Sequence, residues 1–263
     1  MKLFEIIRKM IRKLIPSRIR EKLVKTNLIL TYISGIILPP LPEALLRLIT
    51  KITNRPIFYF YTSVIDTIRE IYVEEIYEKY HNVTRGQIIV DIGANVGMFT
   101  VKVAKKVGPQ GLVISIEPED ANFSLLKKNV QLNSLKNVIL IRKAIGSFKG
   151  VEKFLISDSS ATHSLALSKI RPKKIIKVIE IEIDTLDNII QQLGISRIDL
   201  LKIDVEGAEL EVLKGAEGSL KITRNIAMEL HIAEIKSKIK SFLEQRGFKV
   251  IVEGNMLYAK KIQ

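Results

Sequence analysis

From residue 86 onward, short runs of Ile, Val and Leu alternate with amphipathic stretches. The runs lie at 88–90, 112–116, 138–141, 198–203, 226–230, 248–252 and 256–259. A segment apolar at every position is buried on both faces, and its alternation with helical stretches predicts a mostly parallel, doubly wound α/β sheet. Within 176–183, Ile179, Ile181 and Ile183 alternate with Glu180 and Glu182, which predicts a half-exposed strand inserted before the fourth core strand. Helix ends are punctuated by Gly108, by Pro118 with Glu119 and Asp120, and by Gly215.

The first 85 residues read differently. Leu3, Ile6, Ile7, Met10, Ile11, Leu14 and Ile15 recur at helical spacing, with Lys2, Arg8, Lys9, Arg12 and Lys13 on the rest of the wheel. Those charges interrupt any apolar stretch of the kind a signal peptide needs. Residues 26–42 are uncharged, but 17 positions broken by Gly35, Pro39, Pro40 and Pro42 fall short of the ~20 a spanning helix requires. An interfacial or core-packed segment is expected there. Residues 44–80 read as helical and irregular, with an aromatic cluster, Phe58, Tyr59, Phe60 and Tyr61, suited to core packing. The expected division is a basic helical region at 1–55, a helical connector at 56–85 and a catalytic domain at 86–263.

Composition narrows the chemistry. The 263 residues contain no cysteine, which excludes disulfides, thiolate metal sites and cysteine nucleophiles. Charge is uneven: of a net +14, residues 1–55 carry +9 (twelve Lys/Arg, three acids) and the rest +5. That asymmetry points to an anionic partner for the N-terminal region rather than for the whole chain.

The most informative stretch is Asp91-Ile92-Gly93-Ala94-Asn95-Val96-Gly97, between a predicted strand and a predicted helix. Glycines there let the backbone turn sharply and approach a ligand closely. A pyrophosphate site favours G-x-G-x-x-G, whereas this loop reads D-x-G-x-x-x-G. A carboxylate at the strand end suits a ligand with an amino group and a sulfonium, which is S-adenosylmethionine. Glu117 ends the second strand, 20 residues beyond Gly97, at the spacing of an acid that accepts both ribose hydroxyls. Pro118 follows it, and Ala144 and Ile145 are placed to line an adenine face. Three such features in order favour the cofactor reading over an incidental glycine turn.

These residues carry a resemblance. VDIGANVGMFT (90–100), IEPEDANFSLLKKNVQLN (116–133), KAIGSFKG (143–150), DTLDNI (184–189), IDLLKIDVEGAELEVLKGA (198–216) and MELH (228–231) resemble the FkbM-type S-adenosylmethionine-dependent methyltransferase family. The resemblance implies a Rossmann-like, seven-stranded class I methyltransferase sheet with its last strand antiparallel. It also implies O-methylation, often of sugar or other hydroxyl groups. Residues 1–55 match nothing in that family.

Methyl transfer needs an acceptor oxygen held in line and a group to take its proton. Asp204, Glu206, Glu229 and His231 fall at the ends of the fourth and fifth strands. His231 is the first choice of base because its ordinary pKa lies near working pH, with a structural role weighed equally. Asp204 could contact the methionine amino group, and Glu206 could orient His231 or bind the acceptor. The acids and His231 could hold Mg²⁺, but their spacing does not demand it, and no metal is assigned. His163 falls in a polar insert and His81 is expected at the surface. The turn 204–207 lacks the proline and aromatic used by amino-group methylases of nucleic acid.

The expected function is O-methylation of a glycan, glycolipid or small metabolite. The alternatives are an RNA methyltransferase, or a non-catalytic membrane-associated module. Nucleic acid is disfavoured because residues 1–55 carry no reading motif and only Phe4 and Tyr32 as aromatics. The cationic helix at 2–15 fits either an anionic membrane surface, engaged through residues 1–25, or packing on the core, to which the reading leans. A cytoplasmic enzyme, with the inner membrane face as a peripheral location, is the corresponding expectation.

Overall fold

The computed structural model describes residues 29–33, 36–38, 57–61, 67, 69–157, 164–165, 168 and 174–262. The strands are β1 (Ile29–Ile33), β2 (Ile36–Leu38), β3 (Ile57–Tyr61), β4 (Ile88–Ile92), β5 (Leu112–Ile116), β6 (Val138–Ile141), β7 (Ala144–Ile145), β8 (Gly150–Ser157), β9 (Ser164–Leu165), β10 (Ile175–Asp184), β11 (Leu200–Ile203), β12 (Asn225–Glu229), β13 (Phe248–Glu253) and β14 (Met256–Lys261). The α-helices are α1 (Met98–Val107), α2 (Asp120–Leu132), α3 (Leu186–Gln192), α4 (Glu209–Lys214) and α5 (Lys236–Glu244).

The seven apolar runs form one sheet in the order β13-β14-β12-β11-β4-β5-β6. Six strands, β13, β12, β11, β4, β5 and β6, run in one direction, and β14 runs antiparallel between β12 and β13. This is the expected Rossmann-like class I arrangement. Successive side chains on a strand face opposite ways. Ile89, Val113 and Leu200 accordingly pack with Val101, Leu125 and Leu126 of α1 and α2. Val90, Ile114 and Leu201 pack with Ile189, Val212 and Ile239 of α3, α4 and α5. The C-terminal ends of these strands lie along one edge of the layer, with β4 and β11 paired at its centre.

The half-exposed strand is β10, but it lies outside the main sheet. It pairs with β7, β8 and β9 in a separate four-stranded sheet. Its Ile181 and Ile183 are buried with Phe154 and Leu165, while Ile176 and Val178 face outward.

Two expectations ahead of residue 86 are corrected. The uncharged stretch contains β1 and β2, not helix, and the aromatic cluster forms β3, paired antiparallel with β1. Aromatic and β-branched residues favour extended backbone, and that preference prevails over the helical reading at Ile57–Tyr61. The core-packing role of the cluster does hold at Phe58, which is fully buried. Asn129 of α2 clasps the strand, accepting from the Tyr59 N–H at 2.7 Å and donating to its carbonyl at 2.8 Å. The connector continues as a single wide helical turn, Glu70–Glu74, and a 3-10 turn, Ile76–Glu78. The amphipathic segment at 2–15 and His163 lie outside the described residues. Among the described residues, no helix is long and apolar enough to cross a membrane.

Candidate active site

A cavity of about 430 Å³ opens at the C-terminal ends of β4, β5, β11 and β12. Its first half is built by the turn after β4. Gly93, Asn95 and Gly97 adopt left-handed backbone angles, φ 74°, 51° and 87°. At Gly93 the shape is obligatory, since a Cβ would lie 1.7 Å from the Asp204 carbonyl oxygen. Gly93, Ala94, Asn95, Glu117, Pro118, Ala144 and Ile145 all line the cavity, as the sequence suggests.

Glu117 is buried and anchored from both sides. Its carboxylate accepts the Asn95 N–H at 2.9 Å and the Glu119 N–H at 3.0 Å. Burial nevertheless pushes the carboxyl up to about 7, against those two bonds. Each oxygen has a second lone pair left for a ligand hydroxyl.

Asp91 and Gly97 do not line the cavity. Asp91 is fully buried, accepting from Thr100 Oγ1 at 2.6 Å and facing Lys202 Nζ at 3.1 Å. Lys202 is opposite Asp91 in the β4–β11 register, and Ser115 opposite it on the other side. A polar row thus crosses three strands of an otherwise apolar sheet. Lys202 Nζ also donates to the Gly93 carbonyl at 2.7 Å, so the ion pair grips the ligand-facing turn from beneath. The Asp91 and Asp204 charges outweigh burial and raise the Lys202 ammonium above its ordinary range. The expectation of a free carboxylate at the strand end is therefore corrected: Asp91 acts on the turn through Lys202. Gly97 instead caps α1 under Leu126.

The second half of the cavity is acidic. Asp204, Glu206, Glu229 and His231 line it together. His231 Nε2 lies 3.8 Å from Asp204, 3.6 Å from Glu206 and 4.0 Å from Glu229. On its other side, Nδ1 is 2.7 Å from Glu209, a fully buried carboxylate at the start of α4 that also accepts the Gly207 N–H. Burial alone lowers the imidazole, but the Glu209 bond and the Glu206 and Asp204 charges outweigh it and lift it to about 9. His231 is thus cationic near neutral pH, which corrects its reading as a free base. Glu206 is raised as well, but toward its neutral form. Burial and the neighbouring Asp204 and Glu229 charges outweigh His231 and raise it to about 7. Asp204, Glu206 and His231 can bring one ligand atom each within 4.8 Å of one another. His81 is half-buried beside Gln87, at 3.1 Å, rather than exposed.

Residues 91–250 match the methyltransferase FkbM domain family. The chain belongs to that family. It is 29% identical over 213 residues to methyltransferase sdnD of Sordaria araneosa, covering 69% of this chain and 81% of that one. It is 26% identical over 220 residues to 31-O-demethyl-FK506 methyltransferase FkbM of Streptomyces tacrolimicus, covering 73% and 84%. The crystal structure of methyltransferase FkbM from Methylobacillus flagellatus KT superposes with a TM-score of 0.52 at 16% identity, over 75% of this chain and 53% of that one. The fold and family make the protein an S-adenosylmethionine-dependent methyltransferase.

Several residues of this FkbM-family site escape the sequence reading. Lys202 and Glu209 are among them, as is Tyr77, whose hydroxyl donates to Asp204 Oδ2 at 2.9 Å. A charge inside the apolar run 198–203 is the signal that could have marked Lys202. Thr67, Glu70 and Ile71 also line the cavity, and from the separate sheet Phe154 and Leu165 do. Those positions depend on long-range folding that no local pattern shows.

Proposed function

We propose that the protein transfers a methyl group from S-adenosylmethionine to a hydroxyl oxygen of a glycan, glycolipid or other small metabolite. The observation that carries this reading is a cavity with a ribose-type carboxylate, Glu117, at one end and a Glu206–His231 pair at the other. The 31-O-demethyl name of the Streptomyces relative supports an oxygen acceptor.

The residues present fit the donor. Glu117 would take the ribose hydroxyls, the 93–96 turn its amino acid end, and Ala144 and Ile145 the adenine face. Bound there, S-adenosylmethionine supplies an electrophilic methyl carbon. The chain's own work is to strip and aim the acceptor. Glu206, ionised above about 7, accepts the hydroxyl proton. His231, held by Glu209, stays cationic and steadies the carboxylates as the proton arrives. An anionic acceptor such as RNA phosphate meets Asp204, Glu206 and Glu229 at this end, which disfavours the nucleic-acid alternative.

The test is direct. Calorimetry with S-adenosylhomocysteine should show binding to the wild-type chain, loss of binding in Glu117→Ala and retention in His231→Ala. Methyl transfer to cell extract separated into lipid, glycan and RNA pools should label the first two. Labelling confined to RNA, or no binding at all, sinks the proposal. The +9 of residues 1–55 further supports an anionic membrane surface as the place of work.

A further inference from the structure

Residues 67–77 stand ahead of the region matched to the family, 91–250. Four of them, Thr67, Glu70, Ile71 and Tyr77, nonetheless line the cavity. Of these, Tyr77 and Glu70 stand at the acidic half rather than the Glu117 half. Tyr77 donates to Asp204 at 2.9 Å and lies 3.4 Å from Glu229, and the Glu70 charge acts on Glu229.

The segment is fastened on both sides. Lys102 of α1 donates to the Ile71 carbonyl at 2.6 Å and pairs with Glu75 at 2.9 Å and with buried Glu78. Tyr72 donates to the Met98 carbonyl at 3.2 Å, and Tyr258 of β14 to the Ile76 carbonyl at 2.8 Å. A buried ion pair and three hydrogen bonds to carbonyls hold this turn against two separate elements. Its place at the cavity is therefore set by the fold, not by chance contact.

We propose that Thr67, Glu70, Ile71 and Tyr77 form the acceptor wall of the methyl-transfer site, and that Tyr77 is a positioning residue holding Asp204 and Glu229 toward the acceptor. The proposal rests on the methyltransferase reading. Tyr77 is buried edge-on against Phe99, at 5.3 Å between ring centres, with Lys202 Nζ 5.2 Å from its own ring centre. A phenol has one proton to give, and two carboxylates converge on it. Asp204 receives it, while Asn255 donates to the other oxygen of Glu229 at 2.7 Å. Burial and the Asp204 and Glu70 charges leave Glu229 raised above its ordinary range, against His231 and Lys202. Without the hydroxyl, the repulsion between Asp204 and Glu229 is met by His231 and Lys202 alone.

Tyr77→Phe removes the hydroxyl and keeps the ring, and Glu70→Gln removes the wall's charge. In both, S-adenosylhomocysteine should bind by calorimetry within about threefold of wild type, while kcat/KM with the labelled extract pool falls about tenfold. The pH dependence of Tm supplies a readout without turnover. A carboxyl raised in the folded state costs stability as pH rises from its unfolded value toward the folded one. Loss of the Tyr77 hydroxyl raises Glu229 further, so the fall of Tm as pH rises above the ordinary carboxylate range should be larger in Tyr77→Phe than in wild type. A Tm curve parallel to wild type, or unchanged kcat/KM, overturns the positioning role. Loss of S-adenosylhomocysteine binding in both variants assigns the wall to the donor half and overturns it too. A wild-type chain that binds no S-adenosylhomocysteine fails the methyltransferase reading itself, a different and separately visible result.

Discussion

Lys202 and Asp91 are single charges facing each other across the two central strands, and each is buried because the other is. Removing one leaves the other uncompensated in a dry sheet, so Lys202→Met should destabilise the fold by roughly 3–5 kcal/mol. Urea unfolding measures this, and an unchanged midpoint at unchanged slope refutes the account. The reacting end makes a separate prediction. Glu206 is raised to about 7 and His231 to about 9. The productive form has the first ionised and the second protonated, so kcat/KM should rise through about pH 7 and fall above about pH 9. Both limbs belong to the coupled pair rather than to either residue alone. His231→Gln should abolish the alkaline limb, and a bell unchanged in that variant rules the pair out. Residue identities at this site were legible in the sequence, since Glu117, Asp204, Glu206 and His231 do converge on one cavity. Their charge states were not. The protonation of His231 depends on Glu209, which arrives from the start of α4, and the direction of Asp91 depends on a lysine 111 positions away in sequence and next to it in register.

At the level of elements, the parallel strands announced themselves because burial on both faces leaves a predominantly apolar run, interrupted where Ser115, Asp91 and Lys202 face one another across the sheet. The separate sheet was harder to see. Of β7 to β10, only β10 alternates clearly, because its exposed residues Glu180 and Glu182 flank buried Ile181. The strand β3 was read as helical because aromatics carry no periodicity of their own, and its extended form is settled by pairing with β1 and by Asn129. The tightest joint between elements is Gly93. Its backbone is left-handed at φ 74°, and β11 continues past it so closely that a Cβ would meet the Asp204 carbonyl at 1.7 Å. Gly93→Ala therefore forces apart the ends of β4 and β11, where both halves of the cavity meet. The expected loss is about 3 kcal/mol or more in urea unfolding, with S-adenosylhomocysteine binding lost even in the folded fraction. Normal binding in that variant would show that the turn has room the structure denies it.

The whole molecule carries its charge in two opposite ways. The chain is net +14, yet the acceptor end of its cavity gathers Asp204, Glu206 and Glu229 around one histidine. On the membrane proposal, a basic N-terminal region and an acidic cavity separate what draws the enzyme to a place from what it modifies there. Residues 1–25 hold nine Lys/Arg against Glu5 and Glu21, a net +7, which is half of the total. Each cation near an anionic membrane surface contributes about 1 kcal/mol, screened within a Debye length of about 10 Å at ~0.1 M salt. On the membrane proposal, the full chain should sediment with vesicles containing anionic lipid at low salt, stay in solution with neutral vesicles, and be released by about 0.5 M salt. A chain lacking residues 1–25 should remain in the supernatant throughout while binding S-adenosylhomocysteine as before, because among the described residues the cavity lining begins at Thr67. Equal sedimentation of the two chains would refute the membrane role of this region and leave its charge to be explained by packing on the catalytic domain.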